Sequence, residues 1–174
     1  MSLLTFVTRS CNRPVMLQRG KDSLIDQTDS DWEQIILVDD GARGIEYANG
    51  MLVANKEQVK GQYVYILDDD HRLIVPDFVA GIRAIVEAST PDVVMVKARK
   101  RVHGLLPRKW GSHPQNGSVD TANFVVRNEI WQEHIGAFHR PSSGDFYFIN
   151  EIFSDPKLKV EWWDYIVSED MRDD

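Results

Sequence analysis

Tyr63-Val64-Tyr65-Ile66-Leu67-Asp68-Asp69-Asp70 is a run of β-branched and aromatic residues that stops in three carboxylates. The apolar part reads as a buried strand. Side chains alternate along a strand, so Asp68 and Asp70 are predicted on one side and Asp69 on the other. Carboxylates at a strand end pack poorly, yet they suit a hard divalent cation such as Mg2+ or Mn2+. The competing reading is an acidic turn that solubilises the strand end. The surroundings decide between the two.

Strand and helix signals alternate on either side of this stretch. Leu3 to Val7 and Ile35-Ile36-Leu37-Val38 read as earlier strands, and Val93-Val94-Met95-Val96 as a later one. Between them, Pro14 opens a helix, Ile45 to Val59 carries helical spacing ended by Lys60-Gly61, and Pro76-Asp77 opens a third helix. Alternation of this kind predicts an α/β/α sandwich with a mostly parallel central sheet, and such sheets bind ligands beyond the carboxyl ends of their strands. Thr8-Arg9, Asp39-Asp40 and the triplet all fall at those ends.

Beyond Val96 the pattern changes. Lys97 to Gly117 reads as a long basic loop or irregular hairpin, either solvated or serving as a lid over a diphosphate or a phosphorylated acceptor. Asn123 to Val126 is predicted as a strand, Asn128 to Ile135 and Asp145 to Phe153 as helices, and Lys159 to Val167 as the last strand. Ser168 to Asp174 reads as an acidic tail that frays. The expected organisation is one domain, of a first half (1–98), a second half (99–167) and the tail (168–174).

The bulk numbers narrow the function. The chain has 174 residues, 43% hydrophobic, with net charge -7. That favours a single domain with a real core and argues against long-range attraction to nucleic acid or anionic lipid. A single cysteine, Cys11, fits a reducing compartment. No apolar stretch reaches membrane-spanning length and no signal peptide is evident, so a cytoplasmic protein is the expectation.

Four segments in order resemble the GT-A glycosyltransferases, especially the large inverting family 2. They are Val7-Thr8-Arg9-Ser10-Cys11-Asn12-Arg13-Pro14, Ile35 to Gly41, Lys60 to Asp70, and Thr121 to Arg127 followed by Gly144-Asp145. The resemblance implies transfer of a sugar from a nucleotide-diphosphate donor, UDP-linked first and GDP-linked second, to a hydroxyl of a glycan, a lipid-linked or another acceptor. It implies Mn2+ or Mg2+ bound directly by Asp70 with Asp68 beside it, donor contacts from Thr8, Arg9, Asp39, Asp68 and Asp69, and Asp145 as catalytic base. The chain departs from the family at Ala54-Asn55, where an Arg-Asn pair is usual, and at Gly144, where Glu is common.

The residues leave alternatives open. Asp39 also suits a turn with Gly41, and Asp145 a helix cap. Asp120 is a rival base, and His71, His113 and His139 are candidate ligands without metal-binding spacing. A nucleotidyltransferase lacks its expected Gly-rich loop in Thr8 to Pro14. A binding module of the same fold without turnover also remains.

Overall fold

The computed structural model describes residues 1–140 and 142–171. Eight strands form one sheet: β1 (Leu4–Ser10), β2 (Trp32–Val38), β3 (Tyr63–Ile66), β4 (His71–Leu73), β5 (Val93–Lys100), β6 (Gly104–Leu106), β7 (Phe124–Arg127) and β8 (Val160–Asp170). Their order is β2-β1-β3-β7-β5-β8-β4, with β6 also paired to β5. Five helices cover the sheet: α1 (Pro14–Ile25), α2 (Ile45–Ala54), α3 (Phe78–Ser89), α4 (Asn128–His134) and α5 (Gly144–Ser154).

The alternation in the strands explains the two layers. Tyr63, Tyr65 and Leu67 join Leu4, Phe6 and Val94 against α1 and α3, where Leu24, Phe78, Val79 and Ile82 close the core. Val64 and Ile66 turn the other way with Val7, Val93 and Met95, toward Met51, Leu52, Trp131, Phe148 and Ile152 of α2, α4 and α5. Neighbouring tryptophans follow the same rule, with Trp162 on one face and Trp163 on the other. Trp131, Phe138 and Phe148 are each at most 1% exposed, and burying a side chain of that size contributes about 2–3 kcal/mol. Gly81 makes room for Trp163, since a Cβ there would lie 2.4 Å from its ring.

The sheet is mixed. Parallel pairing is confined to β2-β1-β3 and to β5-β8, whereas β7 runs antiparallel to both β3 and β5. The parallel part is the region where strand and helix alternate in sequence. Past Val96, β5 turns directly into β6, and the loop 107–123 returns to β7 without a crossover α-helix.

Three boundaries differ from the sequence reading. β5 runs on to Lys100 and turns into β6, so the basic stretch opens as a hairpin. His71-Arg72-Leu73 forms a strand that the sequence does not mark, because only five residues separate the triplet from the Pro76-Asp77 turn. The last strand continues through Ser168, Glu169 and Asp170, which pair with Leu73, Arg72 and His71. Ser168 is fully buried and its hydroxyl lies 3.1 Å from that of Tyr65, so these residues are core and not a frayed tail. Residues 172–174 of that expected tail lie outside the described residues.

Candidate active site

The carboxyl ends of β1, β2 and β3 open into a cleft of about 600 Å³. One wall carries Arg9, Arg13, Asp39 and the triplet Asp68, Asp69 and Asp70; the other carries Lys100, Asp120, Thr121 and Asp145. Thus Arg9, Asp39, the triplet and Asp145 meet at one place. Thr8 does not line it: its side chain is buried against β2, where its hydroxyl accepts from Gln34 Nε2 at 2.9 Å.

The triplet divides differently from a regular strand. β3 ends at Ile66, and His71 N donates to Asp68 O at 2.9 Å, closing a turn. Asp68 keeps the strand orientation and faces Arg9, whose Nε and Nη2 donate to its Oδ1 and Oδ2 at 2.7 and 2.6 Å. The turn swings Asp70 round beside Asp69, and Arg13 Nη1 donates to both, at 3.0 Å to Asp69 and 3.2 Å to Asp70. Asp69 also accepts from Cys11 N at 2.8 Å. The predicted grouping of Asp68 with Asp70 is therefore replaced by a grouping of Asp69 with Asp70.

Asp70 continues into a buried polar chain. Its Oδ1 lies 2.8 Å from His71 Nδ1, and His71 Nε2 lies 2.6 Å from Lys100 Nζ. An ammonium only donates, so Nε2 accepts and Nδ1 carries the hydrogen bonded to Asp70. Lys100 Nζ also pairs with Asp120 Oδ2 at 3.0 Å. Lys100 and His71 are both under a tenth exposed, so this chain links the wall that carries the triplet to the wall that carries Asp120 through the interior.

Two carboxylates on the second wall, Asp120 and Asp145, are pushed apart in acidity. Burial works against ionising Asp120, but the Lys100 ammonium and the Ala122 N–H hold the group below the usual carboxylate range. Asp120 also caps a short turn, accepting from Ala122 N at 3.1 Å. Asp145 sits in the first turn of α5. Burial pushes its carboxyl up to about 6, the Asp120 charge adds to the push, and the Phe146 N–H, Arg9 and Lys100 offset only part of it. A carboxyl titrating near neutrality beside one that stays ionised is the arrangement expected when only one of them moves a proton.

Asp39 is 3% exposed and fills the turn role directly, accepting from Gly41 N, Arg43 N and Arg43 Nε at 3.0, 2.7 and 2.9 Å. Burial opposes its charge, but Arg43 and the two N–H groups hold it below the usual range. The Arg43 guanidinium stacks on Tyr47, 3.5 Å from the ring centre. Its side chain is nearly half exposed, so it lies over Asp39 as a cover on the cleft edge.

Sequence reasoning passed over four contributors: Arg13, Asn49, Arg43 and Lys100. Asn49 Oδ1 accepts from Arg9 Nη1 at 2.6 Å, whereas Asn55 only bonds locally, to Met51 O and Gln58. Gly144 explains itself at the same spot: a Cβ there would lie 2.9 Å from Asn49 Nδ2 and 3.2 Å from Phe138 Cα. A glutamate at that position does not fit this packing. His113 bonds Asn150 and packs on Phe153, away from the cleft, and His139 does not line it. Trp110 is anchored edge-on against Trp162 at 4.8 Å.

Several solved structures share this architecture. S. aureus TarS 1–349 in complex with UDP matches with TM-score 0.71 at 12% identity, over 97% of this chain and 60% of that one. TarS 1–349 in complex with UDP-GlcNAc matches with TM-score 0.69 at 11% identity, over 100% and 59%. A glycosyltransferase involved in glycosylation of the major capsid of PBCV-1 matches with TM-score 0.56 at 10% identity, over 98% and 94%. The chain thus spans about 60% of the length of TarS 1–349. No protein-family model and no curated protein matches it. At these identities the likeness is one of fold, and that fold is GT-A-like.

Proposed function

We propose that the chain is a glycosyltransferase of the inverting, family 2 kind, moving a sugar from a UDP-sugar to an acceptor hydroxyl. One observation carries the reading. Asp145, titrating near 6, shares a single cleft with Arg9, Asp39 and the carboxylate triplet, at the strand ends where GT-A-like folds bind nucleotide sugars.

The residues fit distinct steps. Asp39 offers its remaining Oδ2 lone pair to an N–H of the base. Arg9, held by Asp68 and Asn49, places a fixed positive charge beside the diphosphate position. Asp145 accepts the proton of the acceptor hydroxyl as that oxygen bonds the anomeric carbon. The bond from the anomeric carbon to the diphosphate oxygen breaks with its electron pair, and the nucleoside diphosphate leaves. Attack from the face opposite the leaving group inverts the centre.

Mn2+ or Mg2+ fits the donor wall in one mode. Among the described residues no three His, Cys, Asp or Glu side chains surround a common point. A lone carboxylate completed by phosphate oxygens and water is a usual way to hold such an ion. Asp70 is the carboxylate we assign to it, while Asp68 is turned to Arg9 and Asp69 shares Arg13 with Asp70. When bound, the ion would neutralise charge growing on the leaving diphosphate.

A thermal-shift series of UDP- and GDP-sugars, each with and without Mn2+, tests the reading. Ligand that binds the folded state raises its melting temperature. A shift needing one nucleotide sugar together with the ion is expected; no shift with any pair sinks the proposal. Binding without turnover is the second reading, favoured by the internal ion pairs that already occupy Asp68, Asp69 and Asp70. Activity of the wild type against Asp145→Asn separates the two.

A further inference from the structure

Lys100 stands where β5 otherwise turns apolar side chains inward. Val94, Val96 and Ala98 precede it on the same buried face, and Lys100 itself is 8% exposed. Its Nζ lies 2.6 Å from His71 Nε2 and 3.0 Å from Asp120 Oδ2. An ammonium has three N–H donors, and among the described residues only those two acceptors meet them. The little exposure Lys100 keeps is into the cleft, which it lines together with Leu106, Asp120 and Asp145. A buried cation with one donor left over and an opening in front of it is arranged to meet a ligand.

Position says which part of a ligand that is. Lys100 reaches Asp70 through His71, and its charge acts on the Asp145 carboxyl. It therefore stands between the triplet and Asp145. In an inverting displacement the anomeric carbon occupies that same interval, with the diphosphate on one side and the attacking hydroxyl on the other. The diphosphate already has Arg9 and Arg13 on its own wall. The surrounding charges narrow the chemistry further. Asp120 cancels Lys100, Arg13 meets Asp70, and Asp145 stands close by. No positive charge is left over for a carboxylate, so the oxygen that suits Lys100 is a neutral one.

Resting on the glycosyltransferase reading, we propose that Lys100 binds the sugar being transferred, a neutral hexose, by donating its third N–H to one of the sugar's hydroxyls. His71 and Asp120 hold the ammonium from two sides, so little freedom is lost when the hydroxyl arrives. A sugar that lacks a hydroxyl at that place leaves the buried donor unmet. A sugar with a carboxylate there is set against Asp120 and Asp145. Lys100 thus selects among donor sugars, while the nucleotide is met across the cleft by Asp39 and Arg9.

The test measures, by calorimetry with Mn2+ present, the binding of UDP, UDP-glucose, UDP-galactose, UDP-N-acetylglucosamine and UDP-glucuronate to wild type and to Lys100→Met. For the neutral UDP-sugar that binds most tightly, Lys100→Met is expected to weaken affinity about tenfold, while UDP itself stays within about twofold. UDP-glucuronate should bind the wild type more weakly than that neutral donor. An equal loss for UDP and the UDP-sugar, no loss for either, or tighter binding of UDP-glucuronate overturns the proposal. A second measurement decides the matter if Lys100→Met does not fold. In wild type carrying isotope-labelled lysine, replacing bound UDP by the UDP-sugar should shift the Lys100 Cε–Hε NMR signal, assigned by its loss in Lys100→Arg. An unmoved signal overturns the proposal while UDP binding leaves the glycosyltransferase reading standing. Wild type that binds neither UDP nor any UDP-sugar defeats that reading, and the sugar contact with it.

Discussion

Arg9 and Asp68 meet as a two-pronged pair, guanidinium to carboxylate at 2.6 and 2.7 Å, with side chains 10% and 16% exposed. The pair spans β1 and the end of β3, so it fixes the first aspartate of the triplet relative to β1. Removing Arg9 leaves a largely buried carboxylate uncompensated. Arg9→Met is expected to cost about 3 kcal/mol in urea unfolding. Arg9→Lys should recover only part of that, because an ammonium cannot reproduce the fork. Equal stability of wild type and Arg9→Met would show that the pair contributes nothing.

Asp145 should set the acid limb of the pH profile. A base must be ionised, so kcat/KM is expected to rise with pH through about 6 and then level. Asp145→Asn should lower turnover by about 10²–10⁴-fold with donor binding intact. A profile flat between pH 5 and 7 in the wild type argues against this assignment.

The same group has a stability signature of opposite sense. Its folded value, about 6, exceeds the ordinary 3.8, so the folded state holds the proton more tightly. Stability contributed by the protonated form is present below about 4 and is lost as pH rises toward 6. Asp145→Asn should therefore be more stable than wild type above pH 6, by about 3 kcal/mol, and not below pH 4. Denaturant melts at pH 4 and 7.5 check this.

Gly144 is a packing requirement for the site. Gly144→Ala drives a Cβ toward Asn49 Nδ2 and the Phe138 backbone. A cost of about 1–3 kcal/mol is expected, together with weaker UDP binding, because Asn49 holds Arg9. Gly50→Ala, where a Cβ meets nothing within 4 Å, serves as the control and should leave UDP binding unchanged.

Asp70 is the expected ligand of the ion. Asp70→Asn should abolish the Mn2+-dependent part of any nucleotide-sugar thermal shift, whereas Asp69→Asn should retain it. Equal Mn2+ dependence in wild type and Asp70→Asn would move the ion elsewhere.

Local pattern carried much of this architecture. The apolar run from Tyr63, the alternation up to Val96 and the acidic strand ends place the cleft, because period and burial are written in neighbouring residues. Partnerships are not. Arg13 reads as a helix-start residue, and only the fold shows it bridging Asp69 and Asp70 across more than fifty positions. Lys100 reads as one more cation in a basic stretch, yet it is the buried link between His71 and Asp120. The orientation of Asp70 escaped because the strand ends before the triplet does, so alternation no longer applies. Thr8 escaped for the converse reason: alternation holds there and turns it toward Gln34.

Met171 N donates to Asp70 O at 2.6 Å, and β8 pairs with the strand that follows the triplet. The residues that secure the donor turn are thus made roughly a hundred positions after the turn itself. Contacts so distant along the chain form late and slow the search for the native state. During synthesis the first three strands can pair while the triplet still lacks its final brace. A nascent chain that has not yet emitted β8 therefore holds this turn without its brace, and the turn reaches its final form only after residue 171 has emerged.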